Sequence, residues 1–401
     1  MTALPRITPA QRRARLVRHH LLAPRLRATT AEAVAEALVG LHATDPATVF
    51  LAAAARMHRP TAAAIDRSLY DAPTGAPALE RIRCMRGTMF VVPARLAPAV
   101  RSATVRDADG HRAHTMAHLR QTLGWDERRY RAVERAALAA LTARGQATAV
   151  QLANEVAELR EEVITFPGKP YQARQRVGSS ILGVLATEGR IRRSRPAGSW
   201  TSARFRWAPA RPLPDVPVAA ARTALARHYL RAFGPVTVDD LKWWTGWRVT
   251  DTRKAVAATG AQAVELDGGT GYVLPDDLDD LVATTGGNDR ADDGEPAAAL
   301  LPGLDPTAMG WRHRDWYLDP AHAKALFDRN GNIGPTIWWR GRIVGAWAQH
   351  PKGHLNHHLL TDPGAPARAA VREEVARLDA FLDGTRVTPC YRTPLERRLA
   401  A

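Results

Sequence analysis

Three polar side chains interrupt an apolar stretch near the start of the chain: His42, Thr44 and Asp45, within Gly40-Leu41-His42-Ala43-Thr44-Asp45-Pro46. Pro46 drives Asp45 away from helical geometry. In an extended segment residues 42 and 44 point to the same side. An imidazole, a hydroxyl and a carboxylate this close together can hold and polarise a water molecule. The same residues also have a structural use: Thr44 and Asp45 can cap a helix starting at Pro46, and His42 can satisfy a backbone carbonyl. Sequence alone leaves both readings standing.

A second group of side chains is cationic. Residues 169–211 carry Lys169, Arg174, Arg176, Arg190, Arg192, Arg193, Arg195, Arg204, Arg206 and Arg211 against one acid, Glu188. The pattern predicts a helix from Tyr171 to about Thr187, closed by Gly189, and a hairpin turning at Pro196-Ala197-Gly198-Ser199. A helix followed by a cationic hairpin is the reading end of a winged helix-turn-helix, a geometry suited to a groove and its flanking phosphates. Lys169, Arg174, Arg176, Ser179, Arg190, Arg192, Arg193 and Arg204 are its candidate DNA contacts; a solvated basic hairpin is the plainer alternative. Arg83, Arg86 and Thr88 crown a further hairpin tip, a candidate phosphate contact or else a solvated turn, and Trp338, Arg340 and Arg342 form an aromatic-basic tip able to act as a wedge or a phosphate contact. Trp243-Trp244-Thr245-Gly246-Trp247 fits a core better than a base-stacking platform. His354, His357 and His358 match no metal-site spacing, so they read as surface histidines and no metal or other cofactor is expected. The chain has no P-loop, no dinucleotide fingerprint and no nucleophile elbow, which argues against a kinase, a dehydrogenase or a serine hydrolase.

The elements that must position these residues form an α+β series. One arrangement, short helices followed by a β-hairpin, recurs three times at irregular spacing: residues 1–127 with the kink, 128–217 with the basic hairpin, and 218–297. Helix starts are marked by Thr8-Pro9, Thr30, Pro46, Thr61, Thr237 and Thr250. Arg81–Pro93 alternates and turns at Arg86-Gly87. Residues 94–127 link helically to the second unit, and Asp279–Pro296 reads as an exposed loop. Residues 298–401 differ, with a short helix, a hairpin turning at Arg340-Gly341 and an amphipathic helix over Ala365–Leu382. They predict a small β-rich module closed by that helix.

The chain has 401 residues, with Lys+Arg 56 against Asp+Glu 40, a formal charge of +16. A protein this basic usually meets a polyanion. Codon bias explains part of the arginine content but not its unevenness, since Asp276, Asp277, Asp279, Asp280, Asp289, Asp292, Asp293 and Glu295 make one region acidic. Two cysteines build no disulfide framework. No signal peptide and no apolar run of about 18 residues is present, so a cytoplasmic, nucleoid-associated protein that meets no membrane is expected. Three units in one chain make a monomer sufficient.

Taken in order, the Leu41–Pro46 break, the RGTMFVVP hairpin and the block LLPGLDPTAMGWRHRDW…NGNIGPTIWWRGRIVGAWA resemble the bacterial winged-helix DNA glycosylases of the AlkZ/YcaQ type, over nearly the whole chain. The resemblance implies three tandem winged helices embracing duplex DNA, a small β-barrel-like region, and excision of alkylated purines, including bulky N7 adducts and, in antibiotic producers, self-inflicted ones. The family's catalytic motif is a glutamine, a hydrophobic residue, then glutamine or aspartate. Its polar positions fall on His42 and Thr44, flanking Ala43, and neither glutamine is present. The resemblance then casts His42 as general base, Thr44 as the group holding the water and Asp45 as stabiliser of positive charge on the sugar. A silent DNA-binding protein, regulator or lesion sensor, is the other outcome of the same substitution.

Overall fold

The computed structural model describes residues 3–71, 77–104, 108–165, 168, 172–283 and 297–401. They group into two compact units, residues 1–80, 84–104 and 216–401 in the first, and 81–83 with 105–215 in the second. The first unit thus gathers most of the first expected segment, the third, and the C-terminal module. The fold is α+β throughout.

The chain starts the first unit with α1 (Pro9–His19), where Thr8 and Gln11 cap each other reciprocally. Then come α2 (Ala31–Ala37), capped by Thr30, β1 (Leu41–His42), α3 (Pro46–Ala55) and α4 (Ala62–Tyr70), capped by Thr61. The hairpin strands β2 (Leu79–Arg83) and β3 (Met89–Pro93) complete a sheet in the order β1-β3-β2, and α5 (Ala97–Thr104) follows.

The second unit runs through α6 (Ala108–Leu123), α7 (Glu127–Arg144), β4 (Ala147–Thr148), α8 (Ala149–Glu155), β5 (Glu162–Thr165), β6 (Ala173–Arg176), α9 (Val177–Thr187), β7 (Ile191–Pro196) and β8 (Phe205–Pro209). Trp125, Tyr130, Leu141, Leu152, Ile181 and Leu185 fill its core. The expected helix over 171–187 is corrected here, because residues 173–176 are a strand. Ala-Arg-Gln-Arg has no apolar face for a helix to bury, and β5 offers an antiparallel partner, with Arg176 opposite Glu162 and Ala173 opposite Thr165. The helix begins where apolar helical spacing begins, at Val177, Ile181, Leu182 and Leu185. Lys169 lies outside the described residues.

The first unit resumes with α10 (Val218–Phe233), α11 (Val238–Thr245), α12 (Val249–Ala258), the hairpin β9 (Gln262–Leu266) and β10 (Gly269–Val273), and α13 (Pro275–Ala283). The start of α12 falls two residues earlier than expected: Arg248 holds the N-cap position and Thr250 lies inside the first turn. Residues 279–283 are helix rather than loop. Residues 284–296, with Asp289, Asp292, Asp293 and Glu295, lie outside the described residues.

The C-terminal module holds β11 (Ala298–Leu301), α14 (Ala323–Leu326), β12 (Thr336–Trp339), β13 (Arg342–Gln349) and β14 (Leu355–Leu359), one sheet in that strand order, closed by α15 (Ala365–Leu382) and α16 (Pro394–Leu399). It is tied to α3 by a buried ion pair. Arg56 donates to both carboxylate oxygens of Asp305, at 2.7 and 2.9 Å, and also to Thr307 and to the His20 carbonyl. Among the described residues no helix is long and apolar enough to cross a membrane.

Candidate active site

The kink forms because Gly40 lets two strands close up. A Cβ there would sit 2.9 Å from the Val91 carbonyl. Leu41 then pairs with Val91, His42 pairs with Phe90, and the Ala43 N–H donates to the Met89 carbonyl at 2.8 Å. The segment is extended, as the 42/44 alternation requires. His42 is 4% exposed, its ring 5.0 Å from Phe90, and its Nδ1 has no hydrogen-bond partner among the described residues. Thr44 Oγ1 is also buried without a partner. Leaving a buried polar atom unpaired costs about 1–3 kcal/mol, so two such atoms in one short extended segment call for an explanation.

Asp45 departs from the role the resemblance gave it. Its Oδ1 accepts from the Ala47 N–H at 3.0 Å, capping α3, and its Oδ2 accepts from the Cys390 N–H at 2.9 Å. Both oxygens are spent on backbone amides and the residue is 6% exposed, so Asp45 positions the kink instead of facing a sugar. Only half of the capping alternative is met, since Thr44 caps nothing.

His42 is corrected as a titrating base. Burial, then the charge of Arg86, pushes its pKa down to about 3. The ring is therefore neutral across the physiological range. The thiols are silent as well: burial pushes Cys84 up to about 12, and burial with Asp45 pushes Cys390 up to about 11.

Arg86 sits on the turn between β2 and β3 with φ 53°, in the left-handed region that non-glycine residues rarely occupy. Its guanidinium lies 4.1 Å from the ring centre of Trp243. Thr88, expected at a phosphate, donates its hydroxyl to the Met85 carbonyl at 3.0 Å and so closes the turn. Of the tryptophan cluster, Trp244 and Trp247 are core, as expected, and Trp243 is half-buried.

In the second unit the basic residues divide. Arg174, Arg176, Ser179 and Arg204 are exposed. Arg190 is not a free cation, for it pairs with Glu134 and, at 3.7 Å, with Glu188. Arg192 is half-buried, with its Nε unpartnered. Arg193 lies 5.0 Å from the ring centre of Phe205, which also takes Arg81 at 4.9 Å. Burial lowers the Arg193 pKa, and the nearby charges of Arg81 and Arg83 lower it further. Arg83 is exposed and donates to Thr187 Oγ1 at 3.5 Å. Sequence reasoning passed over Arg81, although its spacing of two from Arg83 on one strand was a usable signal.

At the C-terminal hairpin the wedge expectation fails for Trp338. It is 0% exposed, stacks on Tyr317 at 5.4 Å and donates to Thr336 Oγ1 at 2.9 Å. Arg340 forms the tip with φ 46° and lies over Trp339 at 5.3 Å, and Arg342 is exposed. His354, His357 and His358 are exposed. Among the described residues no group of three or more His, Cys, Asp or Glu is placed to hold a metal ion.

Comparison with known proteins decides the family. The model of the AlkZ-like DNA glycosylases matches residues 35–381. The chain belongs to the AlkZ-like DNA glycosylase family. An interstrand DNA cross-link repair glycosylase of Streptomyces sahachiroi is 30% identical over 139 residues, which span 33% of this chain and 34% of that protein. The solved structure of the DNA glycosylase AlkZ from Streptomyces sahachiroi superposes with a TM-score of 0.68 at 20% identity, covering 95% of this chain and 98% of that one. That likeness carries the fold.

Proposed function

We propose that this AlkZ-like chain is a monofunctional DNA glycosylase that hydrolyses the N-glycosidic bond of N7-alkylated purines in duplex DNA, natural-product adducts of self-resistance among them. The three helix-then-hairpin segments act as winged helices on the duplex at the nucleoid. The observation that carries this is the pair of buried, unpartnered polar atoms, His42 Nδ1 and Thr44 Oγ1, at the two positions where the family places its catalytic polar residues.

The chemistry asks little of the protein. An N7-alkylated purine is already cationic and leaves as a neutral base, so no acid is needed. What remains is to aim a water at C1′ while the sugar passes through an oxocarbenium-like state. A glutamine does this with a neutral group that both donates and accepts. Burial gives His42 the same character, because a ring held neutral at Nδ1 and Nε2 offers one donor and one acceptor. The exchange of glutamine for histidine is thus smaller chemically than it is in sequence. Thr44 adds a second hydroxyl contact to the same water, and Asp45 keeps the strand in place through Ala47 and Cys390.

The test is base release. Duplex carrying N7-methylguanine is incubated with the protein and abasic sites are scored. Wild type forms them, and the His42→Ala/Thr44→Ala variant loses about 100-fold or more of the rate. Unchanged product formation in that variant removes the kink as the site. Tight, sequence-specific binding to undamaged duplex with no base release from any adduct makes the chain a regulator or lesion sensor.

A further inference from the structure

A winged helix lays the helix before its hairpin in a DNA groove, and in the second unit that place belongs to α9. Of its eleven residues only Ser179 is exposed, and none is charged. Its apolar side fills the core of the unit at Val177, Ile181, Leu182 and Leu185. On another side it meets α6, where the His111 ring bonds Thr187 Oγ1 at 3.1 Å. Arg112, also on α6, bonds the Glu188 carboxylate at the end of α9 at 2.6 and 2.7 Å. A helix so covered has little left with which to read bases.

The ribbon β5–β6 lies between α8 and α9 in the chain and carries what α9 lacks. Val163 belongs to the core at 2% exposure, so strand alternation turns Glu162 and Ile164 to the opposite, outer face. Arg176 stands opposite Glu162 and Arg174 opposite Ile164, which places both arginines on that face too. Ile164 is 44% exposed. The Arg174 side chain is 81% exposed and approaches Glu162 only to 3.7 Å, a surface pairing that holds an arginine weakly. Arg176 is exposed and makes no hydrogen bond or ion pair among the described residues.

Width selects the groove. Two strands about 4.8 Å apart, with their side chains, fit a major groove about 12 Å wide and not a minor groove of about 6 Å. The floor of the major groove has an apolar element in the thymine methyl groups, and its walls are phosphates. We propose that the β5–β6 ribbon, not α9, is the element of the second unit that enters the DNA major groove. Arg174 and Arg176 meet backbone phosphates, and Ile164 meets the apolar edge of the bases. The inference rests on duplex DNA being the substrate, as in the reading above.

The experiment is disulfide cross-linking to undamaged duplex. The duplex carries one alkylthiol tether as a mixed disulfide, either on C5 of a cytosine, in the major groove, or on N2 of a guanine, in the minor groove. Of the two native cysteines Cys84 is buried and Cys390 exposed, so wild type sets the background. Ile164→Cys should cross-link to the major-groove tether above that background and to the minor-groove tether no more than wild type does. Arg174→Gln/Arg176→Gln, with its fold confirmed by thermal melting, should flatten the slope of log affinity against log salt by about 0.9 for each cation removed. Cross-linking at the minor-groove tether, or at neither tether above wild type, overturns the proposal, and so does an unchanged salt slope. Should Ile164→Cys not fold, Arg174→Cys, directly opposite in register, carries the same comparison. Neither readout depends on base release. Major-groove cross-linking without base release from N7-methylguanine ends the catalytic reading and leaves the ribbon standing. Base release without major-groove cross-linking ends this inference alone.

Discussion

Arg190 and Arg193 are three residues apart in one basic run, and the second unit treats them in opposite ways. Arg190 belongs to a closed network. Arg112 donates to Glu134 at 2.9 Å and to Glu188 at 2.6 and 2.7 Å, and Arg190 adds a further contact to Glu134. Those hydrogen bonds, first from Glu134 and then from Glu188, hold the Arg112 guanidinium above its usual range. Burial alone would raise Glu134, yet Arg112 outweighs it and the carboxyl sits below its ordinary value. Arg193 instead shares an aromatic ring with Arg81 and has Arg83 as a near charge. One arginine is held by two carboxylates, and the other is packed on aromatic rings beside like charges. A count of cations cannot tell them apart, because the difference lies in which side chains come near in space.

The comparison can be broken at its structural end first. Arg112→Ala leaves Glu134 and Glu188 in place with their main partner gone, and is expected to destabilise the protein by about 3–5 kcal/mol, read from urea unfolding. A loss under about 1 kcal/mol would place this network with ordinary surface ion pairs.

Histidines show the same division, with His19, His20 and His42 buried or nearly so and His354, His357 and His358 exposed. Burial and then neighbouring arginines push His19 and His42 down to about 3, and His20 lies well below its ordinary value for the same reasons. Their unfolded pKa is about 6.5, so below that pH the unfolded chain binds protons that the folded chain refuses. Stability contributed by these groups is thus full above about pH 6.5 and falls as the pH drops toward 3. Between pH 7.5 and 5.5 each is expected to cost about 1.4 kcal/mol, measurable as unfolding free energy. Over the same window the rate of base release per bound enzyme should show no inflection from His42. An inflection near 6.5 that vanishes in His42→Gln would restore the titrating base.

Next comes binding. Arg193→Ala should flatten the salt slope for any duplex by about 0.9 and leave unfolding nearly unchanged. Arg190→Ala should leave the slope alone. A slope change in Arg190→Ala equal to that in Arg193→Ala would erase the distinction.

The smallest effect is expected at the strained turn. Arg86→Gly relieves left-handed strain and gives up the contact to Trp243, terms of about 1 kcal/mol each and opposite sign. Its melting temperature should therefore stay close to wild type while base release falls. A large stability loss would make Arg86 structural.

Much of the fold was legible because it rests on local signals. Thr8, Thr30, Thr61 and Thr237 cap helices as their positions promised, Gly145 ends α7, and Arg340-Gly341 turns its hairpin. The strand at 173–176 was not legible, since its reason is the upstream partner strand at 162–165 rather than its own pattern. Trp338 looked like a hairpin tip because sequence shows the turn and hides the Tyr317 ring it packs on. The Arg56–Asp305 pair and the Arg86–Trp243 contact join residues far apart in the chain, and no spacing announces them.

By itself the sequence determined the element types, the extended kink with its polar residues on one side, and the excess of positive charge, for these follow from backbone sterics, periodicity and composition. Tertiary structure alone decided that His42 is neutral, that Asp45 is bound to amides, and which arginines are already satisfied. Protonation and pairing depend on what lies within a few ångströms, and that neighbourhood is assembled from segments well separated in the chain.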